Sequence, residues 1–598
     1  MSKKRSSWLR LPALAFALAF IVSPCGGLAG APARRAPDGK AKAPRLAILI
    51  SVDGLSWSRL ISYRPWYTAG LKRLLGEGFK ETAARYQHLN TETGPGHAAL
   101  GTGSPPRLTG IVANHWYEPD AEGKMQQTYC TDQVTATGRV PGPVKLRVPT
   151  LGDRLVEAKP ASRVVSLGGK DRAAIFLAGK DPRHAVYWFD RATGRFTSSS
   201  AYDAATPTGT AGARIAASFN SRKAGNMLRG RFGLVWRKLA PPSPVTPSGT
   251  TGTALPQPAP NLEQFQNPIN GLGPDHDLGR NTSGYFSGIY YSPWIDELTM
   301  DLALAFLSDE ELALGRGVGS APDLLSVSFI AQDTVSHYYG SESDENLDVL
   351  RRLDLQLARL FAALDETYPA GSVVLALSAD HGFALIPEAA QKRDKSYTGG
   401  RLIIGTEPRG GIPPYVVRLN RLLDEELCLD PARRPIRGGD GWDIFYDRGA
   451  FPMQSIAGPC GAAGRSVTLA DLNAVVRRVV LRHFREEVKD VLLASDQERW
   501  PTDGEGLFAR NDYFAGRSGD AILIPNPGVL MIWDAVRGTG HGSHYESEIH
   551  VPLIFWGGGI PAGESGEPTT PYDLAPTLAR LLGVPLPGAA GRALTFGR

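Results

Sequence analysis

Residues 46–53 read LAILISVD, an apolar, β-branched-rich run closed by Asp53. Two later segments repeat the design: LLSVSFIAQD at 324–333 closes on Asp333, and VVLALSAD at 373–380 closes on Asp380. Runs this apolar and this short are central strands of a parallel sheet covered on both faces. In open α/β sheets ligands gather outside the carboxyl ends of such strands. The three acids are therefore expected on one edge, although hundreds of residues separate the first from the others. An Asp after a strand also serves as a cap or turn residue, and each acid taken alone is open to that reading.

Helical patterns fill the intervals between strands. ENLDVLRRLDLQLARLFAALDE (345–366) repeats apolar residues at helical spacing, and TPYDLAPTLARLLG (570–583) starts near a Thr-Pro pair and stops at Gly583. HVPLIFWG (550–557) reads as a further strand. The alternation predicts an α/β fold, a central, mostly parallel sheet sandwiched by helices. Two stretches break the rhythm, at about 115–290 and about 395–530, and are expected to be insertions that form a cap. The first contains PPSPVTPSGTTGTALPQPAPN (241–261), which has the composition of an exposed linker or loop. Residues 34–598 are then one discontinuous domain.

The 598 residues are 42% hydrophobic and 21% charged, which excludes a collagen, a mucin-like stalk or a disordered chain. The formal charge of +5 raises the question of a polyanionic partner. Residues 1–33 answer it, for they open with Lys3, Lys4, Arg5 and Arg10, continue as LPALAFALAFIV and end in CGGLAGAPA. That is the three-part layout of a secretory signal peptide, and its apolar run falls short of the ~20 residues of a membrane span. Removing those four cations takes the charge from +5 to +1, so no nucleic-acid partner is implied. The expectation is a periplasmic or secreted protein with no transmembrane segment in the mature chain. Pro24 directly before Cys25 argues against a lipoprotein. Cys130, Cys428 and Cys460 remain, and the sequence leaves open whether the last two pair.

Metal chemistry is written in the run QDTVSHYYG, where Asp333 and His337 stand at i and i+4 and share a face if the segment is helical. SADHGF places Asp380 and His381 side by side after a strand, with Gly382 permitting a sharp turn. Asp53 adds a carboxylate, and GTGHGSHYESEIH (538–550) offers His541. Carboxylate and imidazole ligands without thiolate suit catalytic zinc, and six ligands suffice for two ions. The candidate nucleophile is Thr93 in NTETGPGHAALGTG (90–103), before a Gly-Pro-Gly turn and a helix-like stretch. A hydroxyl at a helix N-terminus is suited to carrying phosphate; an ordinary N-cap threonine has the same spacing.

At these residues the sequence resembles the alkaline phosphatase superfamily. ISVDGL, TGPGHAALGTGSPPRLTGIVANHWY, QDTVSH, SADHGF and GHGSHY occur in the order of the branch shared by nucleotide pyrophosphatase/phosphodiesterases and bacterial alkaline phosphatases of the PafA type. The resemblance implies an alkaline phosphatase-like fold, two Zn2+ ions and small phosphate-ester substrates. It implies Thr93 as a nucleophile that becomes phosphothreonine, with Asp53, Asp380 and His381 on one zinc and Asp333, His337 and His541 on the other. It further implies that Asn114 and the Gly94 amide bind a phosphate oxygen. In SLGGKDRAAIFLAGK (166–180), Lys170 and Arg172 are similar to the Lys-x-Arg pair of the monoesterase branch. The expected activity is phosphate monoester hydrolysis. A nucleotide or lipid-head-group phosphodiesterase of the same superfamily and a non-catalytic exported metal-binding protein are the alternatives. A sulfatase is disfavoured, because SPPRL (104–108) has the wrong spacing for the formylglycine motif.

Overall fold

The computed structural model describes residues 43–597, except 121, 137, 222–235, 241–281, 318–320, 405–411, 460, 462 and 533–537. The expected leader over 1–33 with Cys25, the Pro-rich stretch 241–261 and Cys460 lie outside the described residues. The sheet is built from nine strands: β1 (Leu46–Val52), β2 (Phe79–Glu81), β3 (Val164–Gly168), β4 (Ala185–Asp190), β5 (Arg195–Thr197), β6 (Asp323–Phe329), β7 (Val373–Ser378), β8 (Leu553–Gly557) and β9 (Gly563–Ser565). Their spatial order is β9-β2-β8-β7-β1-β6-β3-β4-β5. The interior pairs β7-β1, β1-β6, β6-β3 and β3-β4 are parallel. Antiparallel pairing is confined to β7-β8, β8-β2 and β4-β5.

The continuous hydrophobicity of β1 follows from its central place. Leu46, Ile48, Ile50 and Val52 enter one core, which includes Leu350, Leu353 and Leu357 of the long helix Asp344–Thr367. Ala47 and Leu49 enter another, shared with Leu574, Leu578 and Leu582 of the helix Leu574–Leu582. Side chains of a strand alternate between faces, so a strand buried on both must be apolar throughout. Each such Leu, Ile or Val side chain contributes roughly 1.5–3 kcal/mol of transfer free energy. Gly583 ends the C-terminal helix in the left-handed conformation, φ 64°, as expected of a glycine at that position.

Two sequence expectations need correction. The run LLSVSFIAQD is not a single strand, because β6 ends at Phe329 and a helix spans Ala331–Tyr339. Buried Asp296 breaks the run: its Oδ1 accepts the amides of Ile330 at 2.8 Å and Ala331 at 3.0 Å, satisfying groups that would otherwise be orphaned at the helix start. Asp333 therefore stands in a first helical turn rather than on a strand end. The insertion expected at about 115–290 is also narrower, since β3, β4 and β5 fall within that range and belong to the central sheet.

Residues 395–530 carry a separate antiparallel sheet in the order Ile436–Asp440, Asp443–Tyr446, Ala521–Pro525, Val488–Leu493. It packs on the helices Pro414–Leu427 and Leu469–His483 around its own core, including Leu419, Leu423, Val476, Val480 and Ile444. A β-hairpin, His115–Pro119 with Met125–Tyr129, reaches this sheet through Arg437, whose Nε donates to the Met125 carbonyl at 3.0 Å. Cys428 is disulfide-bonded, and Cys130 is a buried free thiol. No helix among the described residues is long and apolar enough to cross a membrane.

Candidate active site

The helix α1 (Thr93–Thr102) begins at Thr93, with Glu92 extended at its N-cap. The Gly-Pro-Gly that reads as a turn is instead the first turn of this helix. First-turn amides have no intrahelical acceptor, so Pro95 costs no hydrogen bond there. Thr93 is fully buried, and its hydroxyl does not cap the helix. Its Oγ1 accepts from Lys170 Nζ at 3.2 Å and from Arg172 Nη2 at 3.2 Å. Both cations sit at the start of α2 (Asp171–Ala178), which packs beside α1 and follows directly on β3. At Gly96 an added Cβ would lie 2.2 Å from the Asp380 carbonyl oxygen, so only glycine lets α1 seat on the end of β7.

Asn114 is held at both ends. Its amide N–H donates to Glu92 Oε2 at 2.6 Å, and its Oδ1 accepts the Gly94 N–H at 2.9 Å. The Gly94 amide, expected to face a phosphate oxygen, is thus engaged with the Asn114 side chain. That bond turns the carbonyl end of the Asn114 amide toward α1 and leaves its Nδ2 as the remaining donor.

The six expected ligands lie together. Asp333, His337 and His541 offer ligand atoms within 4.8 Å of one another, and so do Asp53, Asp333 and His381. His381 Nε2 lies 3.5 Å from Asp53 Oδ1 and 3.3 Å from Asp380 Oδ2. His337 Nε2 and His541 Nε2 lie 3.4 and 3.5 Å from Asp333 Oδ1. Each imidazole spends Nδ1 on a backbone carbonyl: His337 on Thr539 at 3.1 Å, His381 on Gly382 at 3.0 Å and His541 on Thr91 at 2.8 Å. Those bonds fix the tautomer and aim Nε2 at the acids, the arrangement of metal-binding histidines.

Asp53 Oδ1, Asp333 Oδ1, Asp380 Oδ2 and His381 Nε2 are buried without a hydrogen-bond partner among the described residues. Orphaned polar atoms of this kind are costly, and here they converge, so the donor set fits a divalent cation. Lys170 Nζ adds 2.8 and 2.5 Å contacts to Asp53 Oδ2 and Asp333 Oδ2; the first is an ion pair without hydrogen-bond alignment.

The electrostatics follow from this crowding. Burial, then repulsion from Asp333 and Asp380, holds the Asp53 carboxyl well above its usual range. Burial acts the same way on Asp333, but Lys170 and His337 outweigh it and hold that group well below. Burial also opposes charge on Lys170, yet Asp333 and Asp53 overcome it and raise its pKa. Burial and the neighbouring His381 and His337 keep His541 low, hence neutral and able to bind a metal.

Three contributors were not singled out in the sequence. His97 Nδ1 donates to the Thr93 carbonyl at 2.9 Å and lies 3.1 Å from Asp380 Oδ2; its spacing of four from Thr93 was the available signal. Asp171, between the two cations, accepts from Tyr129 OH and Thr131 Oγ1, both at 2.8 Å. Tyr129 OH in turn accepts from Arg172 Nη1 at 3.1 Å, so the base of the hairpin grips the guanidinium that reaches Thr93. Nothing in the local pattern ties Tyr129 to Arg172, because the contact is tertiary.

Of these groups, Thr93, Asn114, Lys170, Arg172, His337 and His541 line one end of a cavity of about 530 Å³, whose far wall comes from the hairpin and the cap sheet. The chain is 30% identical to alkaline phosphatase PhoK of Sphingomonas sp over 564 residues, covering 91% of this chain and 89% of that one. It is 31% identical to alkaline phosphatase PhoD of Zymomonas mobilis, covering 91% and 86%. The crystal structure of wild-type alkaline phosphatase PafA superposes with a TM-score of 0.73 at 26% identity, covering 93% of this chain and 99% of that chain. The relatives imply phosphoric ester hydrolysis with a metal cofactor, and the model of the type I phosphodiesterase/nucleotide pyrophosphatase family matches residues 47–544. With that match over most of its length, the chain belongs to the type I phosphodiesterase/nucleotide pyrophosphatase family, within the alkaline phosphatase superfamily.

Proposed function

We propose that the protein is an exported, zinc-dependent alkaline phosphatase that hydrolyses phosphate monoesters through a phosphothreonine at Thr93. The observation that carries this reading is the convergence of Lys170 Nζ and Arg172 Nη2 on Thr93 Oγ1, each at 3.2 Å. A monoester dianion presents three non-bridging oxygens, whereas a diester has one of them esterified and one charge fewer. Two fixed cations at the nucleophile therefore favour the dianion, and the guanidinium can hold two oxygens at once.

Asp53, Asp380 and His381 would hold one Zn2+, and Asp333, His337 and His541 a second. When bound, the ions supply Lewis-acid charge that favours the deprotonated nucleophile and the departing alkoxide. The chain's own groups do the rest. Thr93 Oγ1, at the start of α1, attacks phosphorus in line, and the bond to the alcohol oxygen breaks. Lys170, Arg172 and Asn114 Nδ2 hold the equatorial oxygens while charge spreads over them. Water then cleaves the phosphothreonine, releasing inorganic phosphate and restoring Thr93. The Gly94 amide acts by orienting Asn114. Residues 1–33 direct export to the periplasm or beyond.

The test compares kcat/KM on matched mono- and diesters before and after Lys170→Ala with Arg172→Ala. Each charge-assisted hydrogen bond is worth about 1.5–3 kcal/mol, so monoester turnover should fall at least ~100-fold further than diester turnover. Equal losses on both substrates would contradict the proposal and favour the diesterase reading.

A further inference from the structure

The cavity runs on beyond the Thr93 end into a chamber that the phosphoryl group does not fill. Glu92, the N-cap of α1, lines the Thr93 end, and the rest of the wall includes the aromatic rings of Tyr117, Tyr415 and Trp442 and the carboxylate of Asp440. These come from separate elements: the hairpin, the helix Pro414–Leu427 and the turn of the cap sheet. The wall is close-packed, since a Cβ at Gly439 would lie 2.0 Å from the Tyr415 hydroxyl.

Each acid is fixed through one oxygen. Gln127 Nε2 donates to Asp440 Oδ2 at 2.8 Å, and the Asn114 amide holds Glu92 Oε2 at 2.6 Å. Tyr415 is 4% exposed, and its hydroxyl has no hydrogen-bond partner among the described residues. Among the described residues, the Lys and Arg side chains that line the cavity are Lys170 and Arg172, both beside Thr93. Among the described residues, the cavity thus sets Lys170 and Arg172 at Thr93 and the Asp440 carboxylate among the aromatic rings of the hairpin and cap.

Carboxylates set among aromatic faces attract an ammonium ion, whose charge meets the ring quadrupole as well as the acid. The same carboxylates repel an anion. On the monoesterase reading above, we propose that this chamber binds the leaving group and selects for alcohols that carry a positive charge, with Asp440 the specificity-determining acid and Tyr117, Tyr415 and Trp442 the ring faces. The phosphoryl dianion and the cationic end of the substrate then lie along the polarity of the cavity.

A charge series of similar size tests this at alkaline pH with the zinc-loaded protein: phosphocholine, its uncharged isostere 3,3-dimethylbutyl phosphate, and 3-phosphoglycerate. kcat/KM should favour the cationic over the neutral ester by on the order of tenfold, with the anionic ester slowest. Asp440→Asn should compress the cation-to-neutral ratio, and Trp442→Leu should lower it without speeding the anionic ester. Brisk turnover of the neutral ester with no cation preference would overturn the inference and leave the monoesterase reading standing. An unchanged ratio in Asp440→Asn would overturn the assignment of that acid. Failure to hydrolyse any of the three would overturn the monoesterase reading, and this inference with it.

Discussion

Replacing Gly96 by alanine tests whether the nucleophile helix is seated by backbone contact on the strand end that carries Asp380. The added Cβ would stand 2.2 Å from the Asp380 carbonyl oxygen and 2.6 Å from its Cβ, where ordinary contact begins at 3.4 Å. The obstacles are backbone and a buried Cβ, so α1 itself must shift, by about 1 Å at the contact. Two stability effects oppose one another. Alanine is the better helix former by about 1 kcal/mol, whereas overpacking a tight core costs about 1–3 kcal/mol. The net loss of stability is small, and the variant should fold with a modestly lower Tm. Activity responds to position rather than to stability. Thr93 lies three residues upstream on the same helix, and a displacement near 1 Å from Lys170 and Arg172 costs on the order of 100-fold in rate. The assay is kcat/KM on an aryl phosphate monoester, with Tm and bound zinc measured on the same preparation. Activity within about threefold of the parent at unchanged Tm would refute the reasoning, because it would mean that α1 has room to spare against Asp380.

Tyr129→Phe removes the hydroxyl that accepts from Arg172 Nη1 and donates to Asp171. Both hydrogen bonds are lost, and the one that holds Arg172 is worth about 1 kcal/mol, so monoester kcat/KM should fall about fivefold more than diester kcat/KM; an unchanged ratio would remove Tyr129 from the positioning of Arg172. Glu548 accepts from the Ser543 amide at 2.7 Å and tethers the loop of His541, and burial lifts its carboxyl from 4.5 to about 7. The folded chain keeps a proton there that the unfolded chain releases, so the stability contributed is present below 4.5 and is lost as pH rises through about 7. Glu548→Gln lacks this dependence, and the stability of the parent relative to the variant should drop by roughly 3 kcal/mol across that window. Denaturant titrations at the two ends of the window measure it, and a flat difference would count against the buried acid.

Hydrophobic patterning made the sheet legible wherever burial on both faces enforced it, as in β1 and β7. It misled at Asp333, because Ile330 and Ala331 extend an apolar run that Asp296, distant in sequence, converts into a helix start. The short strands β4 and β5 were hidden inside a stretch read as an insertion, since their membership in the sheet rests on pairing with β3 and with each other. Metal-type residues could be picked out because His and Asp recur at spacings with geometric meaning. The far wall of the cavity could not, for Tyr117, Tyr415, Asp440 and Trp442 meet only through tertiary packing and carry no local motif. Thr93 shows the limit most clearly: its spacing fits an N-cap, and only the approach of Lys170 and Arg172 distinguishes it.

The central claim is that Thr93 carries the phosphoryl group. Rapid acid quench of the zinc-loaded protein during turnover of a monoester, followed by peptide mass spectrometry, measures it directly. The account predicts one added phosphoryl group on the peptide containing Thr93, localised to that residue and absent from Thr93→Ala, which should also lose turnover while retaining fold and zinc. Steady turnover by Thr93→Ala, or a phosphoryl group trapped on a different residue, would contradict it.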